Sequence, residues 1–190
     1  MGQAKSLDDA ELKRLLKLVS VGRQGARNRM VILLGHWAGM RVGEVASIKL
    51  GDVLNGDMTV KDTINLTPSQ TKGSRARTVH LPVKLQVELG LYIQTLKGIK
   101  LDAPLIQSQK RRDGFSPNTL CSTVKHWYRL AGIGNGSSHS GRRTFLTKLA
   151  SKGVSARVLQ ELAGHKNLAT TQLYIDVNDE MKRRAIELAV

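Results

Sequence analysis

The stretch Ser138-His139-Ser140-Gly141-Arg142-Arg143-Thr144-Phe145-Leu146 decides how the rest of this chain is interpreted. It places a histidine and an arginine three residues apart at the start of a predicted helix, and residues at that spacing share one helix face. That face can direct an imidazole and a guanidinium at a single anion. His165 follows at a glycine-marked helix end, and Tyr174 comes nine positions later. The set suits a phosphodiester, because it offers donors to the oxygens and a hydroxyl that can attack phosphorus.

The overall composition favours a nucleic-acid partner. The chain has 190 residues, which predicts one domain, and its formal net charge is +15. So strong a basic excess favours a polyanionic partner over a basic protein that binds nothing. Aromatic residues make up only 4% of the chain, which argues against a single-strand binder built on stacked bases. Duplex DNA held through its phosphates fits better.

The single cysteine excludes two classes of small protein. Cys121 has no partner for a disulfide framework and no second thiol for a cysteine-type zinc site, and we interpret it as a small core residue. The sequence shows no signal peptide and no apolar run near the roughly 18 residues of a membrane span. We therefore expect a cytoplasmic protein, associated with the nucleoid when it is bound to DNA.

The hydrophobic pattern predicts an α+β fold that is mostly α. Residues 6–9 are interpreted as a capping box that opens the first helix, which Gly22 ends. Three β-branched runs, at 58–60, 63–66 and 78–81, predict a small three-stranded antiparallel sheet. The predicted later helices are about 26–38, 43–50, 83–96, 116–130, 139–149, 156–163, 169–174 and 180–188.

Two further candidates lie in the first half of the chain. Arg41 and Glu44 form an i, i+3 pair at a helix start after Gly39, where backbone N–H groups attract anions. The alternative is an ordinary surface ion pair. Lys72 lies in a predicted hairpin turn, and its ammonium can there give a proton to a departing alkoxide. The alternative is a solvent-facing lysine.

Tyr174 is the candidate nucleophile, although a helical tyrosine is by default a core residue. Its free pKa is about 10, so attack requires electrostatic help from neighbouring cations. Tyr128 and Tyr92 remain alternatives. The loop run 110–112 is either solvated or in contact with the DNA backbone. The proposed DNA-contacting residues are Arg75, Arg77, Lys110, Arg111, Arg112 and Arg143.

These blocks together resemble a known family. Gly-Met-Arg-Val-Gly-Glu at 39–44, Thr-Lys at 71–72, His-Ser-Gly-Arg at 139–142, Ala-Gly-His at 163–165 and Tyr174 are similar to the catalytic domain of the tyrosine recombinases (phage integrase family). Each block alone is a weak motif. Their order and spacing agree over about residues 6–189, and the ordered set is highly specific.

The resemblance assigns a role to each cationic residue that binds the phosphate. It implies that Arg41 and Arg142 clamp the scissile phosphate, with Arg142 selected over its neighbour Arg143 by the family spacing. Glu44 would support the site. The resemblance also implies no cofactor and no metal, since fixed arginines meet the transition-state charge.

The remaining roles concern proton transfer and attack. The resemblance implies that His139 is an acid/base group and phosphate donor, and that His165 also contacts the phosphate. Lys72 would be the general acid for the leaving 5′ oxygen. Tyr174 would attack and leave a 3′-phosphotyrosyl bond, which keeps the energy of the cleaved linkage so that rejoining needs no ATP.

The resemblance also carries expectations about domains and partners. Residues 1–190 would be a single catalytic domain without the family's N-terminal core-binding domain, and we expect a trimmed form of a longer protein rather than a naturally minimal one. The C-terminal helix at about 178–190 would exchange with a neighbouring protomer. The expected assembly is a tetramer on duplex DNA and a monomer alone, with room for an accessory DNA-bending protein.

Two other functions are compatible with these residues. A type IB topoisomerase uses similar chemistry to relax supercoils without strand exchange. Short length, the Ala-Gly-His block and the C-terminal helix favour a recombinase over it. A non-catalytic DNA-binding protein of the same fold is the second alternative, and the complete set of chemical groups argues against it.

Overall fold

The computed structural model describes residues 4–109, 114–175 and 179–187. Within these residues the fold is mostly helical with a small antiparallel sheet, as predicted. The helices are α1 Asp9–Val19, α2 Gly25–Trp37, α3 Val42–Ser47, α4 Leu50–Val53, α5 Val83–Gln94, α6 Pro117–Leu130, α7 Ser140–Ser151, α8 Ala156–Ala163, α9 Leu168–Gln172 and α10 Asp179–Glu187. The strands are β1 Thr63–Leu66 and β2 Arg77–His80, with a short 3₁₀ helix, Pro68–Gln70, after β1. None of the described helices is long and apolar enough to cross a membrane.

The sheet corrects one prediction, because the described residues form two strands rather than three. Strands β1 and β2 pair from Thr63↔His80 to Leu66↔Arg77. The predicted strand 58–60 makes only an isolated bridge, between Val60 and Leu54. Its backbone is used locally, since the N–H of Asn55 donates to the carbonyl of Thr59 at 2.9 Å. The backbone of this run therefore bonds within a local turn instead of pairing with the sheet as a third strand.

The start of α1 corrects a second detail. The predicted cap was the run 6–9 beginning at Ser6, but the structure places the N-cap at Asp8. Its carboxylate accepts from the N–H of Glu11 at 2.7 Å, and the Glu11 carboxylate accepts from the N–H of Asp8 at 3.3 Å. This reciprocal pair satisfies two helix-end donors. The inward face of α1 then buries Leu12, Leu15 and Val19.

Helix α2 is the central element of the core, and it packs closely against α7. Leu33 and Leu34 are fully buried, each worth about 1.5–3 kcal/mol of apolar transfer. The backbones of α2 and α7 approach so closely that a Cβ on Gly141 would lie 3.0 Å from the carbonyl carbon of Gly35. The helix that carries His139 and Arg142 is thus fixed directly on the core.

Two helix ends near the site were only partly predicted. Helix α8 has the predicted bounds, with Ser155 as N-cap. Helix α9 ends at Gln172, so Tyr174 lies in the turn just beyond it rather than inside a helix. Cys121 on α6 is half-buried, and its thiol lies 3.1 Å from the Ser138 hydroxyl.

Candidate active site

A buried carboxylate organises one side of the site. Glu44 on α3 is 1% exposed and accepts from the Arg41 backbone N–H at 2.8 Å and from its Nη1 at 2.9 Å. It also accepts from Nε and Nη2 of Arg77, at 3.1 and 2.6 Å. Burial acts to raise the pKa of Glu44, but the bonds from Arg77 and then Arg41 outweigh it and lower the pKa below its ordinary value. Glu44 is therefore an anion that joins two guanidiniums.

Arg77 was predicted to contact DNA, but in the structure its side chain is largely buried and bonds to groups of the protein itself. Its side chain is 8% exposed. Besides Glu44, it binds the carbonyl of Leu162 through Nη1 at 2.9 Å. It thus ties strand β2 to α3 and to the end of α8. Its predicted contact with DNA stays a prediction, while its contacts within the chain are those of a residue that positions Arg41.

The end of α8 requires a glycine. Gly164 has φ +58°, a left-handed conformation that favours glycine, and a Cβ there would lie 2.8 Å from Cδ of Arg77. In this turn the N–H of Gly164 donates to the carbonyl of Glu161 at 2.9 Å, and the N–H of His165 donates to that of Gln160 at 3.1 Å. This pair of hydrogen bonds is the Schellman arrangement of helix ends.

The last two carbonyls of α8 are taken by arginines. Leu162 accepts from Arg77, and Ala163 accepts from Nη2 of Arg142. Arg142 also donates from Nη1 to the carbonyl of Gly39 at 2.9 Å. Cations are favourable at a helix C-terminus, where the backbone dipole is negative. The same bonds fix the guanidinium of Arg142, whose remaining N–H groups have no hydrogen-bond partner within residues 4–109, 114–175 and 179–187.

Arg142 lies in a strongly cationic environment. It is 4% exposed, and burial is the main reason that its pKa falls to about 9. Arg41 and Arg77 lower the pKa further, while Glu44 and Tyr174 act in the opposite direction. The group is still charged at neutral pH. A bound phosphate would relieve both the burial cost and the repulsion, so the arrangement favours an anion.

His165 lies half-buried beside this cluster. Burial, and then Arg142 and Arg41, lower its pKa to about 4, so the ring is neutral at pH 7. Its Nδ1 lies 3.0 Å from the hydroxyl of Thr171, and its carbonyl accepts from the amide of Gln160 at 3.1 Å. The sequence reasoning missed both of these polar partners, because neither a threonine nor a glutamine in a helical run signals a tertiary contact.

His139 and Lys72 approach the site from different elements. His139 is the N-cap of α7, and partial burial followed by the charges of Lys72, Arg142 and Arg41 lowers its pKa. Lys72 is exposed in the turn before β2. This turn lies next to the loop after α8, since a Cβ on Gly73 would be 3.5 Å from a side-chain carbon of the loop's lysine at position 166.

Tyr174 lies against the cationic residues with its side chain partly exposed. Its ring stacks on that of His165, with centroids 5.8 Å apart and planes at 21°. The guanidinium of Arg143 lies 5.7 Å from the ring centroid. Tyr174 also acts electrostatically on Arg142. The hydroxyl-bearing residue is therefore next to the cluster and not enclosed in the core.

The other two tyrosines are enclosed. Tyr92 donates to the carbonyl of Leu105 at 2.8 Å, and burial raises its pKa to about 12. The hydroxyl of Tyr128 lies 2.8 Å from Nε2 of His36, and burial raises its pKa above the ordinary range. Neither can reach a duplex without unfolding of the core. Of the chain's three tyrosines, Tyr174 is the one whose side chain is partly exposed.

Part of the candidate site opens into a cleft of about 510 Å³. Its walls include Arg41, Lys72, Arg75, Arg77 and His165. Positions 110–112 of the predicted DNA-contacting set lie outside the described residues. Among the residues described, no group of three or more His, Cys, Asp or Glu side chains is placed to hold a metal ion.

The chain is similar in sequence to known proteins. The profile of a family described as the phage integrase family matches residues 5–181. The chain belongs to this family. Tyrosine recombinase XerA of Pyrococcus horikoshii is 35% identical over 188 residues, covering 97% of this chain and 61% of the relative. Tyrosine recombinase XerD of Pseudomonas putida is 33% identical over 184 residues, covering 91% of this chain and 57% of the relative. The chain thus spans about three fifths of the length of these family members.

Solved structures agree in fold. A crystal structure of XerA recombinase superposes with a TM-score of 0.76 at 26% identity, covering 100% of this chain and 66% of that one. The Tn1549 transposon integrase in complex with circular intermediate DNA gives a TM-score of 0.77 at 16% identity, with 100% and 68% coverage. The second likeness shows the shared fold alone. The family and its fold, expected from the sequence blocks, are both confirmed.

Proposed function

We propose that this chain is the catalytic part of a site-specific DNA recombinase that cleaves and rejoins duplex DNA through a 3′-phosphotyrosyl intermediate. One observation carries the proposal. The charges of Arg142 and Arg41 both act on His165, that of Arg41 also acts on Arg142, and the partly exposed Tyr174 stacks on the ring of His165. Family membership and the relatives named as tyrosine recombinases support the same activity.

The proposed attack begins with binding of the scissile phosphate. Arg41 and Arg142 donate to its non-bridging oxygens. Both guanidiniums are held in place beforehand, that of Arg41 by Glu44 and that of Arg142 by backbone carbonyls. His165 donates to the same phosphate as a neutral imidazole. Donors fixed in advance stabilise the charge that develops on these oxygens, and such stabilisation usually lowers the barrier more than any other single effect in catalysis.

Proton transfer completes the proposed step. The Tyr174 oxygen forms a bond to phosphorus as the bond from phosphorus to the 5′ oxygen breaks. The phenolic proton passes to His139, whose lowered pKa leaves it neutral and able to accept. Lys72 gives a proton to the departing 5′ oxygen. Rejoining is the reverse, with a 5′ hydroxyl attacking the phosphotyrosine.

Partners form the finer part of the proposal. The net charge of +15 supports duplex DNA as substrate, with phosphates held by Arg75, Arg143 and the 110–112 run. We propose a tetramer on DNA, with the segment at about 178–190 exchanged between protomers, and an accessory DNA-bending protein. Exposure of Ile186 on α10 supports an exchanged helix. The proposed location is the cytoplasm.

The test uses the whole chain and a pool of nicked duplexes of random sequence. A nick beside the cleaved bond releases a short fragment, so the covalent protein–DNA adduct accumulates and can be seen in a denaturing gel. We expect an adduct from the native chain and none from Tyr174→Phe. Tyr92→Phe is the matched control and should form the adduct, since its hydroxyl lies in the core. An adduct from Tyr174→Phe would refute the assignment.

The captured sequences then separate the alternatives. Duplexes carrying the captured sequence in pairs should be recombined, whereas a topoisomerase would only relax a supercoiled plasmid that contains it. Binding without any adduct from the native chain would favour the non-catalytic DNA-binding protein.

A further inference from the structure

The contact between Thr171 and His165 has a direction that matters for the proposed chemistry. Thr171 is fully buried on α9, and its hydroxyl lies 3.0 Å from Nδ1 of His165. That contact is the only hydrogen bond of this hydroxyl among residues 4–109, 114–175 and 179–187. A buried hydroxyl without an acceptor for its proton is costly, so its proton has to be given to this nitrogen.

Two other helical threonines show what Thr171 does not do. The hydroxyls of Thr144 and Thr123 donate to the carbonyl four residues earlier, at 2.8 Å in both cases. Such back-bonding is the usual outlet for a threonine hydroxyl in a helix. Thr171 has no such bond within the described chain, and its hydroxyl is turned to the imidazole instead. Nδ1 therefore accepts, and the proton of the neutral ring lies on Nε2.

The other ring nitrogen, Nε2, is left free by the described residues to meet a ligand. Nε2 of His165 has no hydrogen-bond partner among the described residues, and it is not among their fully buried unpaired atoms. His165 itself lines the cleft next to Arg41. A proton on Nε2 makes this atom a donor to a phosphate oxygen. A proton on Nδ1 would turn a lone pair towards the same oxygen and repel it.

We infer that Thr171 is a positioning residue that holds neutral His165 in the Nε2–H tautomer, so that the ring donates to a phosphate oxygen of bound DNA. The inference rests on the proposed function and names a residue that the sequence blocks did not. It also ties the donor to the nucleophile. Thr171 and Tyr174 share one short segment, in which the N–H of Tyr174 donates to the carbonyl of Thr171 at 3.0 Å. Docking of that segment sets the tautomer and delivers the tyrosine together.

Two substitutions separate the hydroxyl from the shape of the side chain. Thr171→Val keeps the β-branched shape and removes the proton donor, whereas Thr171→Ser keeps the donor. Long-range ¹H–¹⁵N spectra of the ¹⁵N-histidine protein at neutral pH report which nitrogen of each ring is protonated. The spectrum of His165→Gln identifies the His165 signals by their loss. We expect Nε2–H in the native chain and in Thr171→Ser, and a mixture of tautomers in Thr171→Val.

Adduct formation on the nicked duplexes gives the second readout. The rate should fall on the order of tenfold in Thr171→Val, less than the roughly 10²–10³-fold cost of deleting such a donor outright, and Thr171→Ser should restore it. A proton on Nδ1 in the native chain would overturn the inference, as would an unchanged tautomer in Thr171→Val. If that variant does not fold, the native and Thr171→Ser spectra still decide the tautomer.

The two proposals fail differently. Absence of any adduct from the native chain would refute the proposed function, whatever the spectra show. If the native chain forms the adduct but its His165 ring carries the proton on Nδ1, the proposed recombinase activity stands and the role of Thr171 is refuted.

Discussion

Replacing the buried carboxylate by its amide, Glu44→Gln, tests whether one anion organises the cationic cluster. The amide has the same shape but carries no charge. Its carbonyl can still accept from one arginine, while its NH₂ group faces the N–H donors of the other, Arg41 or Arg77. Removing one partner of a buried ion pair leaves an uncompensated charge, which typically costs about 3–5 kcal/mol. We expect a loss of that size in the free energy of unfolding.

Glu88→Gln is the matched control. Glu88 also holds an arginine with both carboxylate oxygens, but its side chain is 20% exposed and that of its partner Arg29 is 33% exposed. Ion pairs that water can screen are worth about 0–1 kcal/mol. Urea denaturation followed by far-UV circular dichroism measures both variants. A Glu44→Gln loss no larger than that of Glu88→Gln would refute the central role given to the buried anion.

The pH dependence of that difference gives an independent check. The pKa of Glu44 is lowered in the folded chain, so its contribution is fully present above the ordinary carboxyl pKa and is lost as the pH falls through the lower, folded value. The stability gap between the native chain and Glu44→Gln should therefore narrow only in acid, below about pH 4. A gap that narrows near neutral pH would contradict the assignment.

Three further outcomes are expected. His36 is 4% exposed and its pKa is lowered to about 3, so the unfolded chain takes up this proton first and acidification from neutral pH to about pH 5 should cost about 2 kcal/mol from this group alone. His139 and His165 add to the total loss, so in urea titrations His36→Gln should lose about 2 kcal/mol less than the native chain over this pH range. Gly164→Ala adds a close contact with Arg77 to the strain of a positive φ, and it should lower the free energy of unfolding by about 1–3 kcal/mol. Gly132→Ala is the control, because φ is +67° there and nothing lies within 4 Å, and it should cost less. Equal losses in the two variants would show that the contact with Arg77 is unimportant. Arg142→Lys cannot keep both backbone carbonyl bonds and a phosphate bond, so adduct formation on nicked duplexes should fall about 10²–10³-fold, and a near-native rate would contradict the clamp.

Local signals in the sequence predicted most of the helices and strands. They did not predict details in which two residues, or two hydrogen-bonding arrangements, are alternatives at the same position. Helix α8 has the predicted bounds, and its N-cap, Ser155, was not named from the sequence. At α1 both Ser6 and Asp8 are suitable caps, and the capping box with Glu11 decides for Asp8. The run 58–60 has strand-forming residues, yet Val60 bridges to the nearby Leu54 instead of joining the sheet, and composition alone does not reveal this.

The side chains of the candidate site were named from the sequence, but their supports were not. Arg77 was grouped with surface cations because a sequence shows charge and not burial, and only the packing of β2 against α8 and the ion pair with Glu44 enclose it. Nothing in the sequence around Thr171 indicates a functional role for this residue. Its relation to His165 exists because the turn at Gly164 folds α9 back beside the end of α8.

The way α8 ends has a consequence for how this protein tolerates sequence drift. Arg77 and Arg142 hold main-chain oxygens of Leu162 and Ala163. Every amino acid carries a main-chain carbonyl oxygen, so a substitution at Leu162 or Ala163 cannot remove the acceptor to which the arginine binds. Shortening or extending the helix by one residue would move both anchors at once. Selection should therefore act here on length far more strongly than on identity.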